Sequence, residues 1–157
     1  PYNNLGWMAQ EAGDTAEAER RYRQAVETAP TFALGWINLM NLLVRDGRLS
    51  DAVTACDTAV AADPRNRILR LTFAEILAKH EHQDEAIAEY RKALAAEPDN
   101  PVIMNNLAIL LVAVERREEA EALYRRAIDV DPSYAPAHCN LRVLLQEQGR
   151  MEQAIRE

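Results

Sequence analysis

Residues 33–66 read ALGWINLMNLLVRDGRLSDAVTACDTAVAADPRN, and their pattern decides the fold. Leu39, Leu42 and Leu43 follow Trp36 at spacings of three and four, which places them on one face of a helix. Gly47 breaks that helix. A second pattern follows, with Ala52, Ala55, Cys56 and Ala59 on one face. It ends at Ala62-Asp63-Pro64, because proline has no N–H to donate and disfavours helix at the residue before it. Asn66, a good N-cap residue, opens the next segment. The unit is therefore two short helices joined by a glycine turn and closed by a proline.

Working outward, the same unit returns along the whole chain. Pro30, Pro64, Pro98 and Pro132 are each 34 residues apart. Ala18, Ala52, Ala86, Ala120 and Ala154 keep the same step, as do Ala25, Ala59, Ala93 and Ala127. Tyr22, Cys56, Tyr90 and Tyr124 share one large slot; Leu5, Leu39, Phe73, Leu107 and Leu141 share another. A period of this size marks a solenoid, in which stacking neighbours supply the apolar cover that one helix pair lacks. Local signals agree. Asp14 followed by Glu17 reads as an N-cap with a glutamate three residues on, and Asn100 before Pro101 suits the start of a helix. The expected architecture is all-α, one array over residues 1–157. Its repeats are 1–32, 33–66, 67–100, 101–134 and 135–157, about four and a half in all.

Composition narrows the function classes. The chain has 157 residues, 48% of them hydrophobic, enough apolar material for a packed core. A net charge of -7 argues against gripping phosphate backbones, an affinity that comes from Lys and Arg releasing counterions. No apolar run approaches the roughly 18–20 residues of a membrane span. The expectation is no nucleic acid, no membrane, and a cytoplasmic location. Cys56 and Cys139 fall several helices apart, so no disulfide between them is expected, which fits a reducing compartment.

The residues resemble a known family. Tyr2-x2-Leu5-Gly6, then Ala18-x3-Tyr22, Ala25 and Pro30, is similar to the tetratricopeptide repeat, as is Trp36-x2-Leu39 with Ala52-x3-Cys56, Ala59 and Pro64. Ala86-x3-Tyr90 and Ala120-x3-Tyr124 extend the likeness through the next two periods. Two slots depart from it. Met40 and Arg142 stand where Gly6, Ala74 and Ala108 are small, and Glu81 and Glu115 stand where Gly13, Gly47 and Gly149 close the first helix. The resemblance implies a right-handed superhelix of antiparallel helix pairs. First helices would line a concave groove and second helices the convex side.

Residues i, i+4, i+7 and i+11 share a helix face, so the groove can be read from spacing. The faces are Asn4, Trp7 and Glu11; Leu34, Asn38, Asn41 and Arg45; Ile68, Thr72, Glu75 and Lys79; Val102, Asn106, Ile109 and Ala113; and Pro136, Asn140, Val143 and Glu147. Asn4, Asn38, Asn106 and Asn140 occupy one slot, interrupted by Thr72. Asparagine is a mediocre helix former, so its return at mid-helix asks for a reason. A ladder of amides matches the backbone of an extended peptide, since each offers a carbonyl and two N–H groups. The alternative is that these asparagines bond one another or nearby backbone and set the stacking. The ladder, with Asn-Leu at 4–5, 106–107 and 140–141, resembles the repeat arm of O-linked N-acetylglucosamine transferases. That likeness implies an alternative role as the substrate-recognition arm of a larger enzyme, its catalytic domain outside this chain. Four net hydrogen bonds give about 2–6 kcal/mol, short of the roughly 8 kcal/mol of a micromolar complex. Selectivity then falls to the apolar groove residues Trp7, Leu34, Ile37, Ile68, Ile109 and Val143, or to a neighbouring domain.

The expected peptide-binding residues are therefore Asn4, Trp7, Asn38, Asn41, Arg45, Thr72, Glu75, Asn106, Ile109 and Asn140. The expected partner is a protein or peptide held by a non-catalytic scaffold. Chaperone-type carboxylate clamps of the family would need converging cations, and this groove has Arg45 and Lys79 only, with Asn3, Trp7, Ile68 and Thr72 in the clamp slots. RNA-reading helical repeats would want a basic groove. His80-Glu81-His82 offers two imidazoles in a turn and lacks further ligands, so no metal and no cofactor is expected. No Gly-rich phosphate loop or nucleophile elbow is present, and catalytic residues are expected to be none. The chain begins at Pro1 and ends partway into a second helix without a polar cap. It therefore reads as a window from a longer array, whose apolar ends could stack end to end.

Overall fold

The computed structural model describes residues 1–66 and 68–149. Among these the chain forms nine α-helices and no strand. They are α1 (Tyr2–Glu11), α2 (Thr15–Thr28), α3 (Ala33–Arg45), α4 (Leu49–Ala62), α5 (Ile68–Lys79), α6 (Gln83–Ala96), α7 (Pro101–Ala113), α8 (Arg117–Val130) and α9 (Ala135–Glu147). The second helix expected after Gly149 lies outside the described residues. Contacts divide the chain into two compact units, Pro1–His82 carrying α1–α5 and a second beginning at Gln83 carrying α6–α9. The division falls between α5 and α6, inside the third 34-residue period.

The helix ends form where local chemistry asks for them. The Asp14 carboxylate accepts a hydrogen bond from the Glu17 backbone N–H at 3.0 Å and starts α2. The Asn100 side chain accepts from the N–H groups of Val102 and Ile103, with Pro101 at the first position of α7. Asn66 accepts from the Ile68 N–H at the start of α5. The turns after first helices adopt one left-handed residue each. Gly13, Gly47 and Gly149 take it at φ +80, +73 and +73, and Glu81 and Glu115 take it at +66 and +62. The two glutamates therefore make the same turn as the glycines, under the strain that a Cβ brings to this region.

In the first unit each helix packs on the next, and α3 also meets α5. In the second, α6 meets α7, α7 meets α8, α8 meets α9, and α7 meets α9. The small alanine slots let the helices approach: Ala18, Ala52, Ala86 and Ala120 have no exposed surface. Leu39, Phe73, Leu107 and Leu141 are buried as their common slot requires, but Leu5 is not. The Leu5 side chain on α1 is 42% exposed and meets solvent.

Two further details tie the turns down. The Trp36 indole N–H donates to the Pro30 carbonyl at 2.7 Å, and His138, in the same slot three periods on, places Nε2 3.0 Å from the Pro132 carbonyl. Arg126 donates to the Pro98 carbonyl at 2.6 Å. The turns at Pro30, Pro98 and Pro132 are thus bound by side chains of neighbouring helices.

Charged residues of the second helices are largely matched among themselves. Glu17 pairs with Arg20 and Arg21, and Glu19 with Arg23. Arg48 reaches across to Glu19 at 2.7 Å while also holding Asp51. Its hydrogen bonds to Glu19 and Asp51 push the Arg48 guanidinium further up. Burial alone would raise the Glu19 carboxyl, but the hydrogen bonds from Arg48 and Arg23 outweigh it and hold the group below the usual range. In the second unit Arg91 of α6 meets Glu119 of α8 at 3.1 Å, and the hydrogen bond from Arg116 keeps Glu119 low.

Candidate functional site

The same-face residues of the first helices are accessible in both units. In the first unit Trp7, Leu34 and Ile68 are 55%, 51% and 66% exposed, high values for large apolar side chains. Beside them Asn4, Arg45 and Glu75 are exposed, and Asn38, Asn41 and Thr72 are half-buried. In the second unit Ile109, Val102 and Val143 are exposed, and Asn106 and Asn140 are half-buried. Ile37 is half-buried. All ten expected binding residues thus lie at least partly open to solvent. Asn4, Trp7, Asn38, Asn41, Arg45, Thr72 and Glu75 fall in the first unit, and Asn106, Ile109 and Asn140 in the second.

The asparagine ladder is partly internal. Asn38 donates an N–H to the Asn3 carbonyl at 2.9 Å, and Asn140 donates an N–H to the Asn105 carbonyl at 2.9 Å. Asn105 in turn donates to the Asn106 carbonyl at 3.4 Å, a long bond. Asn3 and Asn105 are buried, 8% and 4% exposed. Each acceptor therefore sits one position before the ladder slot, on the preceding first helix. Asn38 and Asn140 keep a carbonyl and a second N–H for other partners. Asn41 is engaged as well, its carbonyl 3.2 Å from Nε2 of His80.

Sequence reasoning placed Asn3 only as a departure from a clamp, and did not single out Asn105 or the partner role of His80. A signal for the first two was present. The doublets Asn3-Asn4 and Asn105-Asn106 put an amide into a slot that holds Ile37 and Leu71 elsewhere. An amide in an apolar slot needs a hydrogen-bond partner.

No group of three or more His, Cys, Asp or Glu able to hold a metal occurs among the described residues. Cys56 is buried in α4 and Cys139 is exposed on α9, both as free thiols. No helix among the described residues is long and apolar enough to cross a membrane. A mostly apolar cleft of about 230 Å³ opens beside Asn3, with Tyr2, Ala25, Thr28 and Phe32 among its lining.

The Tetratricopeptide repeat family model matches residues 9–72 and 77–126, and a second model of the same description matches 105–157. The chain belongs to the tetratricopeptide-repeat family. Solved tetratricopeptide-type structures share its all-α helical-repeat fold. A crystal structure of MamA superposes with a TM-score of 0.66 at 16% identity, covering 97% of this chain and 89% of that one. MamA residues 41 to the end from Desulfovibrio magneticus RS-1 gives 0.64 at 19% identity, covering 99% and 88%. YrrB, described as a TPR protein with an unusual peptide-binding site, gives 0.62 at 20% identity, covering 99% and 80%. Among curated proteins, none matches the sequence. At these identities the likeness establishes the fold of this tetratricopeptide-repeat chain, and the departures at Met40, Arg142, Glu81 and Glu115 are changes within it.

Proposed function

We propose that this tetratricopeptide-repeat chain is a non-catalytic protein-interaction scaffold that holds an extended peptide segment against the first-helix face of a unit. The observation that carries this reading is the first-unit face itself. Trp7, Leu34 and Ile68 are each more than half exposed, beside half-buried Asn38 with an unused carbonyl and N–H. Apolar side chains set among a few fixed polar groups are the ordinary make-up of a recognition surface. YrrB, which shares the fold, is itself described by a peptide-binding site, and repeat solenoids in general bind along extended faces.

The chemistry favours a polypeptide. Amides match peptide backbone without regard to side chain, and the exposed Trp, Leu and Ile provide the apolar contacts that discriminate. The net charge of -7 favours a neutral or basic segment over an acidic one.

A random dodecamer display library selected on the immobilised chain tests this. Selected peptides should bind the wild-type chain and lose affinity for an Asn4/Asn38/Asn106/Asn140→Ala version of equal helicity. Trp7→Ala should weaken the same peptides. Selection of peptides indifferent to both changes would place recognition away from these faces and refute the proposal.

A further inference from the structure

Two asparagine pairs stand in the same register in different units. Asn38 bonds Asn3 and Asn140 bonds Asn105, each pair 35 residues apart in sequence and 2.9 Å apart in space. The spacing is one period plus one residue. The donor is half-buried on the peptide-binding face proposed above, and the acceptor is more than nine-tenths buried behind it. Where the acceptor slot is apolar the pair cannot form. Thr72 follows Ile37 by the same step, and Asn106 follows Leu71.

We propose that Asn3 and Asn105 are positioning residues for the peptide site, each fixing the amide of the next first helix so that its remaining carbonyl and N–H are preset toward a peptide backbone. The inference rests on the peptide-binding reading above. A free asparagine side chain on a helix turns about its terminal bond, and binding must then stop that rotation. With one N–H held by a buried carbonyl, the amide plane is set before the ligand arrives. The second N–H and the carbonyl form a donor and acceptor in one plane, which is the pattern of a peptide unit in an extended chain. In the second unit the bond from Asn105 to the Asn106 carbonyl joins two ladder residues through one buried amide. Hydrogen bonds in such a chain strengthen one another. The positioned residues are thus Asn38 and Asn140, which donate to a buried asparagine, whereas Asn4 is exposed.

The test uses the whole chain and a peptide selected from the dodecamer library. Asn3→Leu and Asn105→Leu put into these slots the residue type found at Leu71. Asn3→Asp and Asn105→Asp keep an acceptor oxygen. Each leucine change should leave helicity unchanged and weaken the peptide about three- to tenfold, the worth of one net hydrogen bond. Asn3→Asp should restore most of the affinity, and Asn105→Asp less of it, because aspartate cannot give the N–H that Asn105 donates to Asn106. In an Asn38→Ala background, adding Asn3→Leu should change affinity little, which a general loss of packing would not produce. The side-chain amide protons of Asn38 and Asn140 should exchange more slowly in wild type than in the leucine variants. Should a leucine variant not fold, the aspartate variants and the amide exchange decide the matter: aspartate variants that bind no peptide, or wild-type amides that exchange as fast as free asparagine, overturn the proposal. Peptides whose affinity ignores all these changes overturn the positioning role alone. If no peptide can be selected on wild type, the peptide-binding reading falls and the positioning role with it.

Discussion

Gly6 and Tyr22 form a size-matched pair whose exchange can be measured. A Cβ added at Gly6 would lie 2.6 Å from both Cδ1 and Cε1 of the Tyr22 ring and 3.2 Å from its Cγ. The near side of the ring blocks the space, and Tyr22 is 1% exposed, so it has nowhere to swing. One period on, the same slots hold Met40 and Cys56, both fully buried. The large and small partners have changed places. Gly6→Ala gains about 1 kcal/mol of helix propensity but brings an overpacking cost of about 1–3 kcal/mol, so a net loss of about 1 kcal/mol is expected. Tyr22→Cys alone empties a buried site and should cost about 3 kcal/mol or more. Gly6→Met with Tyr22→Cys recreates the arrangement of Met40 and Cys56. It should be less destabilising than the sum of its single changes by about 1–3 kcal/mol, the coupling expected of residues in contact. Tyr22→Phe serves as a control, since it removes only the 3.2 Å hydrogen bond to Gln10 and leaves the ring in place. Urea melts followed by helical circular dichroism measure each corner of the cycle. Additive single changes, or a Gly6→Ala chain as stable as wild type, would refute the pairing.

Other outcomes follow from the same geometry. Glu81→Gly and Glu115→Gly should each stabilise by about 1 kcal/mol, because the left-handed turn strains a residue with a Cβ, and Gly47→Ala should destabilise by a similar amount; urea midpoints check both. Burial pushes the Tyr124 phenol up to about 12 from 10.0. Its folded value is raised, so its contribution is complete below pH 10, fades as pH climbs toward 12, and should appear as a late phenolate absorbance in the folded chain. On the acid side Glu17 and Glu119 are held low by hydrogen bonds from Arg21 and Arg116, and Asp131 by those from Ser133. Their contribution is present above the ordinary carboxylate range and is lost as pH falls through their lowered values, so melting temperature should drop there, and less steeply in high salt.

Much of the architecture was legible along the chain because its causes are local. Prolines every 34 residues, glycine turns and the caps at Asp14 and Asn100 each act on their own few bonds, and all appear where the pattern places them. The glutamates at 81 and 115 show the limit of such reading. Residue type argued against the glycine-like turn, yet both adopt it, at φ +66 and +62. Leu5 shows another limit, since its slot is apolar throughout but its exposure depends on which neighbours cover α1.

The candidate site divides in the same way. Which residues share a first-helix face follows from helical spacing, and the ten expected binding residues are all accessible. Spacing could not say which amides are already engaged. Asn38 finds Asn3, Asn140 finds Asn105 and Asn41 finds His80 across 35 or more residues of chain. A hydrogen bond needs its two atoms within about 3.5 Å, and only the stacking of one first helix on the next brings these side chains that close. By itself the sequence determined the repeat, its helices and the face they present. The tertiary structure decided which polar groups on that face are paired, because pairing is a matter of distance between segments and not of order along one.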